Sequence, residues 1–365
     1  MYIDRRLVGK IALLICLAGT ATCAEQARPA QPTATTLPVA AATITRADSP
    51  SPTASSSSSA TAPSVGQQPT IAPSSSPAAG WRTLASMPTP RTEVAAAALH
   101  VRIYVAGGFA ENGSTLATVE AYDRASDRWQ AVAALPQPRN HLGLAALGDR
   151  LYAVGGYGRE LRDPSADVWA YDPAADHWAV VAALPAPRAA HAVVAADGKL
   201  FVVGGVGPDA QTTLVYDPAT NAWEHRAALP TPREHLAAAA VDGRIYAIAG
   251  RREGRNLDTV EIYDIAQDAW TTGPALPTAR SGLTAAALAD HIYVTGGEAL
   301  DGSGKTFGEL ELFDPRSGAW SSATPMPTSR HGLASVVYEG QLFVLGGGPV
   351  AGLSASGANE VYVPE

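Results

Sequence analysis

Residues 129–178 read WQAVAALPQPRNHLGLAALGDRLYAVGGYGRELRDPSADVWAYDPAADHW, and the order of landmarks within this stretch decides the fold. Trp129 is followed ten residues later by Arg139, and Arg139 sixteen residues later by Gly155-Gly156. Tyr171-Asp172 then stands seven residues before the next tryptophan, Trp178. The same landmarks recur in both directions. The tryptophan and arginine return as Trp81 and Arg91, Trp178 and Arg188, Trp223 and Arg233, Trp270 and Arg280, and Trp320 and Arg330. The glycine pair returns as Gly107-Gly108, Gly204-Gly205, Gly296-Gly297 and Gly346-Gly347, with Ala249-Gly250 as the single departure. The aromatic and aspartate return as Tyr122-Asp123, Tyr216-Asp217, Tyr263-Asp264 and Phe313-Asp314. A unit of 45 to 50 residues is therefore repeated six times, a period that belongs to stacked four-stranded units rather than to one ordinary core.

These residues resemble the kelch motif, in which a Gly-Gly pair, a Tyr and a Trp at such spacings mark one blade of a β-propeller. The resemblance covers residues 81–365 and implies an all-β, six-bladed ring. It is far more specific for fold than for activity.

Within each unit, small apolar runs such as Ala95 to Ala98 and Ala237 to Ala240 suit an innermost strand, where sheets converge on an axis and leave little room. Asp197-Gly198 and Asp242-Gly243 supply the positive-φ pair of a tight hairpin. The chain ends three residues after Tyr362, before the tryptophan then due, and Trp81 at the other end supplies it. Residues 81–87 therefore read as a lone outer strand that completes the last blade and closes the ring, removing the open sheet edges.

The arginine-to-glycine and aromatic-to-tryptophan spacings are constant, whereas the distance from the first glycine to the aromatic varies from 12 to 17. All length variation thus falls on the loops between the second and third strands, on one face, where repeat proteins place binding. The candidates on that face lie just after the glycines (Phe109, Tyr157, Arg159, Glu160, Arg251, Arg252, Glu253, Glu298 and the Gly-rich stretch from Gly347 to Gly357) and just after the arginines (Glu93, Asn140, His141, His191, Glu234, His235, Ser281, His331). In kelch domains that bind peptides, positions like these line the central pocket, and the resemblance carries that role over. The narrowest set is Arg251, Arg252, Tyr157, Arg159, Phe109, Glu298, His141 and His235. Arg251-Arg252 stands in the one blade that breaks the Gly-Gly rule. Four histidines fall one to three residues after a repeat arginine, but at different offsets; alternation along an extended strand would send them to different faces, so no metal site is expected. The repeat arginines read as interblade struts bonding backbone carbonyls. Trp169, two residues before Tyr171 where other blades carry Glu, reads either as an exposed stacking surface or as a packing substitute.

Beyond residue 80 the chain carries 21 basic against 31 acidic residues, which argues against a nucleic-acid partner. The only cysteines, Cys16 and Cys23, precede the repeats, so the folded part has no disulfide, thiolate metal site or cysteine nucleophile. Residues 1–23 carry Arg5, Arg6 and Lys10 before a short apolar run and read as an export signal. Thr20-Ala21-Thr22-Cys23 resembles a lipoprotein cleavage site, departing from it at Thr20 and Thr22; cleavage after Ala21 or Ala24 is the alternative. Residues 24–80 hold no aromatic residue and are rich in Ser, Thr, Pro and Ala, the composition of a disordered tether spanning roughly 40 Å.

The function expected is an extracytoplasmic, monomeric binding module that presents one propeller face to a protein or carbohydrate ligand, without cofactor, and held at a membrane if Cys23 is lipidated. Among kelch enzymes, a copper-radical oxidase is excluded by the lack of any cysteine beyond Cys23 to cross-link a tyrosine. A sugar mutarotase resembling the periplasmic N-acetylneuraminate epimerase is the alternative.

Overall fold

The computed structural model describes residues 79–159 and 161–364. The export signal, Cys23, Glu160 and all of the tether but its last two residues lie outside them; Gly80, read as the end of the disordered tether, instead opens a strand. Every regular element described is a strand, and the strands form six four-stranded antiparallel sheets. The innermost strands Ala95–Leu99, Gly143–Leu147, Ala192–Ala196, Ala237–Val241, Ser281–Leu288 and Ala334–Tyr338 face one another around the axis. The sixth sheet is completed from the other end of the repeat region: Gly80–Thr83 pairs with Asn359–Val363, setting Trp81 opposite Tyr362.

The repeat landmarks form a clamp between blades. Tyr122 donates its hydroxyl to Asp127 Oδ1 at 2.6 Å, and the same oxygen accepts from Ala85 N of the preceding blade link at 2.9 Å. Trp129 Nε1 then donates to Ala85 O at 2.8 Å, so one link residue is held through both backbone groups. Tyr171, Asp176 and Trp178 hold Ala133 in this way, Tyr216, Asn221 and Trp223 hold Ala182, and Tyr263, Asp268 and Trp270 hold Ala227. In the fifth blade the link residue is Pro274, which has no N–H to give. There Gly318 replaces the accepting Asp or Asn, the aromatic is Phe313 without a hydroxyl, and only the bond from Trp320 Nε1 to Pro274 O remains, at 3.1 Å. The polar members of the clamp are lost together, as the cost of an unpaired buried polar group demands.

The repeat arginines are buried and structural. Their partners include carboxylates as well as the carbonyls expected. Arg91 pairs with Glu120 at 3.0 Å, Arg280 with Glu311 at 2.5 Å, Arg330 with Glu360 at 2.6 Å, and Arg233 with Glu261. Each glutamate stands two residues before the blade aromatic. Where that position is Trp169, Arg139 lies 5.0 Å above the indole and pairs with Asp167 at 2.5 Å. Trp169 is thus a packing residue, 4% exposed. Where the position is Leu214, Arg188 donates to Asp209 O at 2.7 Å and Thr212 O at 2.9 Å.

Candidate functional site

Two residues after each repeat arginine the backbone turns left-handed: Glu93 (φ 52°), His141 (52°), Ala190 (52°), His235 (51°), Gly282 (65°) and Gly332 (59°). These six residues form a ring around the axis. His141 N donates to Glu93 O, Ala190 N to His141 O, His235 N to Ala190 O, Gly282 N to His235 O and Gly332 N to Gly282 O, and Val94 N closes the circle on Gly332 O. A second ring surrounds it. The residue after each glycine pair bridges to the residue after a repeat arginine, as Phe109 to Thr92, Tyr157 to Asn140, Arg251 to Glu234 and Gly348 to His331.

Contrary to the alternation of an extended strand, three of the four histidines converge on Glu93. His141 Nε2 lies 3.2 Å from Glu93 Oε2, His331 Nε2 lies 3.9 Å from Glu93 Oε1, and the His141 and His235 ring centroids are 4.7 Å apart. The left-handed turn re-aims Glu93, His141 and His235 inward, and His331 reaches them from the first position after its own arginine. The carboxylate of Glu93 passes over Gly332, where a Cβ would come within 2.6 Å of Oε1, so the small residue on the ring makes room for the functional one. His191 stays apart, against Gly143, Gly155 and Gly205.

Arg251 ties the cluster together. Its Nε donates to Glu234 Oε1 at 3.0 Å, Nη1 to Glu298 Oε1 at 3.1 Å and Nη2 to His235 Nε2 at 3.1 Å. Because a guanidinium only donates, His235 Nε2 is the acceptor and its proton sits on Nδ1, which donates to Glu234 Oε2 at 3.1 Å. His331 Nδ1 faces Gly348 O at 3.1 Å and donates to it, leaving Nε2 turned toward Glu93 and toward Glu298 Oε2 at 3.8 Å. Burial acts to raise the Glu93 carboxyl, but His141, His235, His331 and Arg251 outweigh it and bring it down to about 2. Glu234, against the same burial effect, is brought to about 2 by His235 and Arg251. The three carboxylates of Glu93, Glu234 and Glu298 against the one guanidinium of Arg251 give these four residues a formal net −2.

Burial pushes His141 down to about 3, against the opposing pull of Glu93, and pushes His191 to about 3 with help from Arg188. The unfolded chain takes up a proton at each site from near pH 6.5 downward, and the folded chain refuses it. Stability should therefore fall as pH drops from about 6.5 toward 3, by at most about 1.4 kcal/mol per pH unit for each histidine. The depressed Glu93 and Glu234 act in the same direction but below about pH 4.5, so melting curves between pH 6.5 and 4.5 isolate the imidazoles. His191→Gln should flatten the slope, and an unchanged slope would overturn the assignment.

Above the cluster opens a cavity of about 490 Å³ on the face of the variable loops, lined by Glu93, Phe109, His141, His235, Arg251, Glu298 and His331, with Leu161 and Leu353 at its lips. Below it lies a smaller cavity of about 170 Å³ between the inner strands, and Glu93, His141 and His235 border both. Of the residues anticipated from sequence, Arg251, Glu298, Phe109, His141 and His235 line the upper cavity. Tyr157 packs edge-on behind His141, with centroids 5.6 Å apart. Arg252 and Arg159 do not line it. Arg252 is half exposed and paired with Glu253 at 3.4 Å, and Arg159 lies on a two-stranded hairpin opposite Arg162. Arg251 and Arg252 therefore do not face the same cavity. Alternation along their short strand turns one inward and the other to solvent. Leu161 and Asn112 went unread in the sequence because they sit in the length-variable loops, out of phase with any repeat, whereas Gly352 and Leu353 fall in the Gly-rich stretch 347–357 anticipated on this face.

The family model for the KLHDC2/KLHL20/DRC7 Kelch-repeats domain matches residues 78–228 and again 185–348, two overlapping placements of the kind an internally repeated chain permits. A comparison with curated proteins found no significant match. Among solved structures the chain is similar to that of YjhT, with a TM-score of 0.66 and 21% identity over 75% of this chain and 95% of that one, a likeness of fold. With its repeat phase, closed six-sheet ring and family match in agreement, the chain belongs to the kelch-repeat family.

Proposed function

We propose that the protein is an exported kelch-repeat binding module that holds a carbohydrate of about monosaccharide size, uncharged rather than acidic, in the pocket at the mouth of its axis. The observation that carries this reading is the convergence of residues from five of the six blades on one concave site of about 490 Å³, within the usual range for small-ligand pockets. Carboxylates, imidazoles and the guanidinium of Arg251 offer donors and acceptors for hydroxyl groups, and Phe109 and the leucine lips offer apolar contact. The net negative charge of the cluster opposes an anionic ligand. Export rests on the N-terminal sequence, with Cys23 as the residue a lipid would hold at the membrane.

Titration of neutral sugars and of N-acetylneuraminate, followed by calorimetry or saturation-transfer NMR, tests the proposal. A neutral sugar should bind more tightly than the acidic one. Arg251→Gln should weaken it at least tenfold, the loss of about 1.5 kcal/mol or more expected of a charge-assisted hydrogen bond. Arg252→Gln should leave it unchanged. Equal sensitivity to both arginines would sink the pocket assignment.

A second reading is sugar anomer interconversion, favoured by one observation: the ionised Glu93 stands 3.2 Å from His141, a carboxylate and an imidazole placed to take and give the two protons of ring opening. NMR of anomer exchange on any sugar that binds, with Glu93→Gln as the comparison, distinguishes turnover from binding.

A further inference from the structure

We propose that Glu93, His141 and His235, with His331 beside them, form a binding site for a divalent transition-metal ion of the zinc class at the floor of the axis pocket. The ligand atoms of Glu93, His141 and His235 all lie within 4.8 Å of one another. The ligands of a tetrahedral zinc site, at about 2.0–2.1 Å from the ion, stand roughly 3.4 Å apart, and His141 Nε2 and Glu93 Oε2 are already at 3.2 Å. His331 Nε2 stands 3.9 Å from Glu93 Oε1, and metal binding requires His235 and His331 to close toward the tetrahedral spacing.

The backs of the rings supply an independent observation. A histidine that ligates through Nε2 almost always gives its Nδ1–H to a carboxylate, an amide or a backbone carbonyl, which fixes its tautomer and orientation. Here His141 Nδ1 faces Asn140 Oδ1 at 2.6 Å, His235 Nδ1 faces Glu234 Oε2 at 3.1 Å, and His331 Nδ1 faces Gly348 O at 3.1 Å. All three Nε2 atoms are thereby turned toward Glu93. The charge is complementary too, since a divalent cation neutralises the net −2 of Glu93, Glu234, Glu298 and Arg251. Imidazole and carboxylate donors without sulfur suit zinc, copper, nickel or iron rather than calcium or magnesium.

Arg251 opposes the ion. Its Nη2 is bonded to His235 Nε2, so metal binding must displace that hydrogen bond while the guanidinium keeps Glu234 and Glu298. The site therefore makes an unusual prediction: Arg251→Gln should bind the metal about tenfold or more tightly, although the same change weakens sugar binding. The inference shares the pocket with the carbohydrate reading and does not depend on it.

The test uses the full-length protein, freed of metal with a chelator and titrated with zinc alone by calorimetry. One zinc per chain is expected. Cobalt should give the visible bands of a four- or five-coordinate site, which zinc then bleaches. His141→Gln and His235→Gln should each lower zinc affinity a hundredfold or more, and Arg252→Gln should not change it. Unsaturable binding, the weak spectrum of an aqua-like octahedral cobalt ion, or full affinity in the folded histidine variants would overturn the proposal. Should a variant fail to fold, the stoichiometry and cobalt spectrum of the unaltered protein decide alone.

Discussion

Deletion of residues 79–87 should cost the protein its cooperative fold. The strand Gly80–Thr83 is the outer strand of the sixth sheet and pairs with Asn359–Val363 over four residues. Trp81 packs on Tyr362 with ring centroids 5.3 Å apart, and its Nε1 donates to Thr324 O at 2.7 Å, the same bond every other blade makes within the repeat. Beyond the strand, Met87 is 2% exposed in a core shared by the first and sixth blades. Losing a buried methionine alone costs about 2–5 kcal/mol, so losing Met87 together with the partly buried Trp81 and a strand should exceed about 5 kcal/mol. It would also leave Asn359–Val363 as an open edge, the ordinary template for aggregation. Calorimetry and size-exclusion chromatography read both effects. A truncated protein that stayed monomeric and melted within a degree or two of the full chain would show that the ring does not need its closing strand.

The ring was legible because a propeller writes each blade once per period, and six copies in phase leave little freedom of interpretation. The site was legible only in part, and the reason is local. Reading histidine offsets on an extended strand assumes ordinary backbone angles, whereas the second residue after each arginine is left-handed. The hint stood in the sequence as a column: Glu93, His141, Ala190, His235, Gly282, Gly332. Two glycines at one repeat position mark a positive φ that the other four residues must also adopt, and non-glycine residues held there are a recurrent mark of functional sites. The arginine partners were legible in the same way, since a glutamate two residues before the aromatic recurs in four blades. Of the pocket's lips, Leu353 was legible only as part of the Gly-rich stretch 347–357 and Leu161 not at all, because both belong to loops that no period constrains.

Those buried arginine–glutamate pairs carry the second large prediction. Arg280 is 0% exposed and Glu311 is 4% exposed, and each is the other's principal counter-charge. Glu311→Ala should destabilise the protein by about 3–5 kcal/mol, because it strands a buried guanidinium rather than merely deleting a contact. Arg280→Met combined with Glu311→Leu should restore much of that loss, since removing both charges together also removes their desolvation penalty. The third blade already shows what a blade does without the glutamate. Leu214 occupies the position, and Arg188 turns to the carbonyls of Asp209 and Thr212. Arg188→Met should therefore cost less than Glu311→Ala, for it leaves two carbonyls near the loop surface rather than an unpaired ion in the core. Urea unfolding of the three variants beside the unaltered protein orders these effects. If the double replacement proved as damaging as Glu311→Ala, the pairs would be contributing net stability to the blades rather than offsetting their own burial.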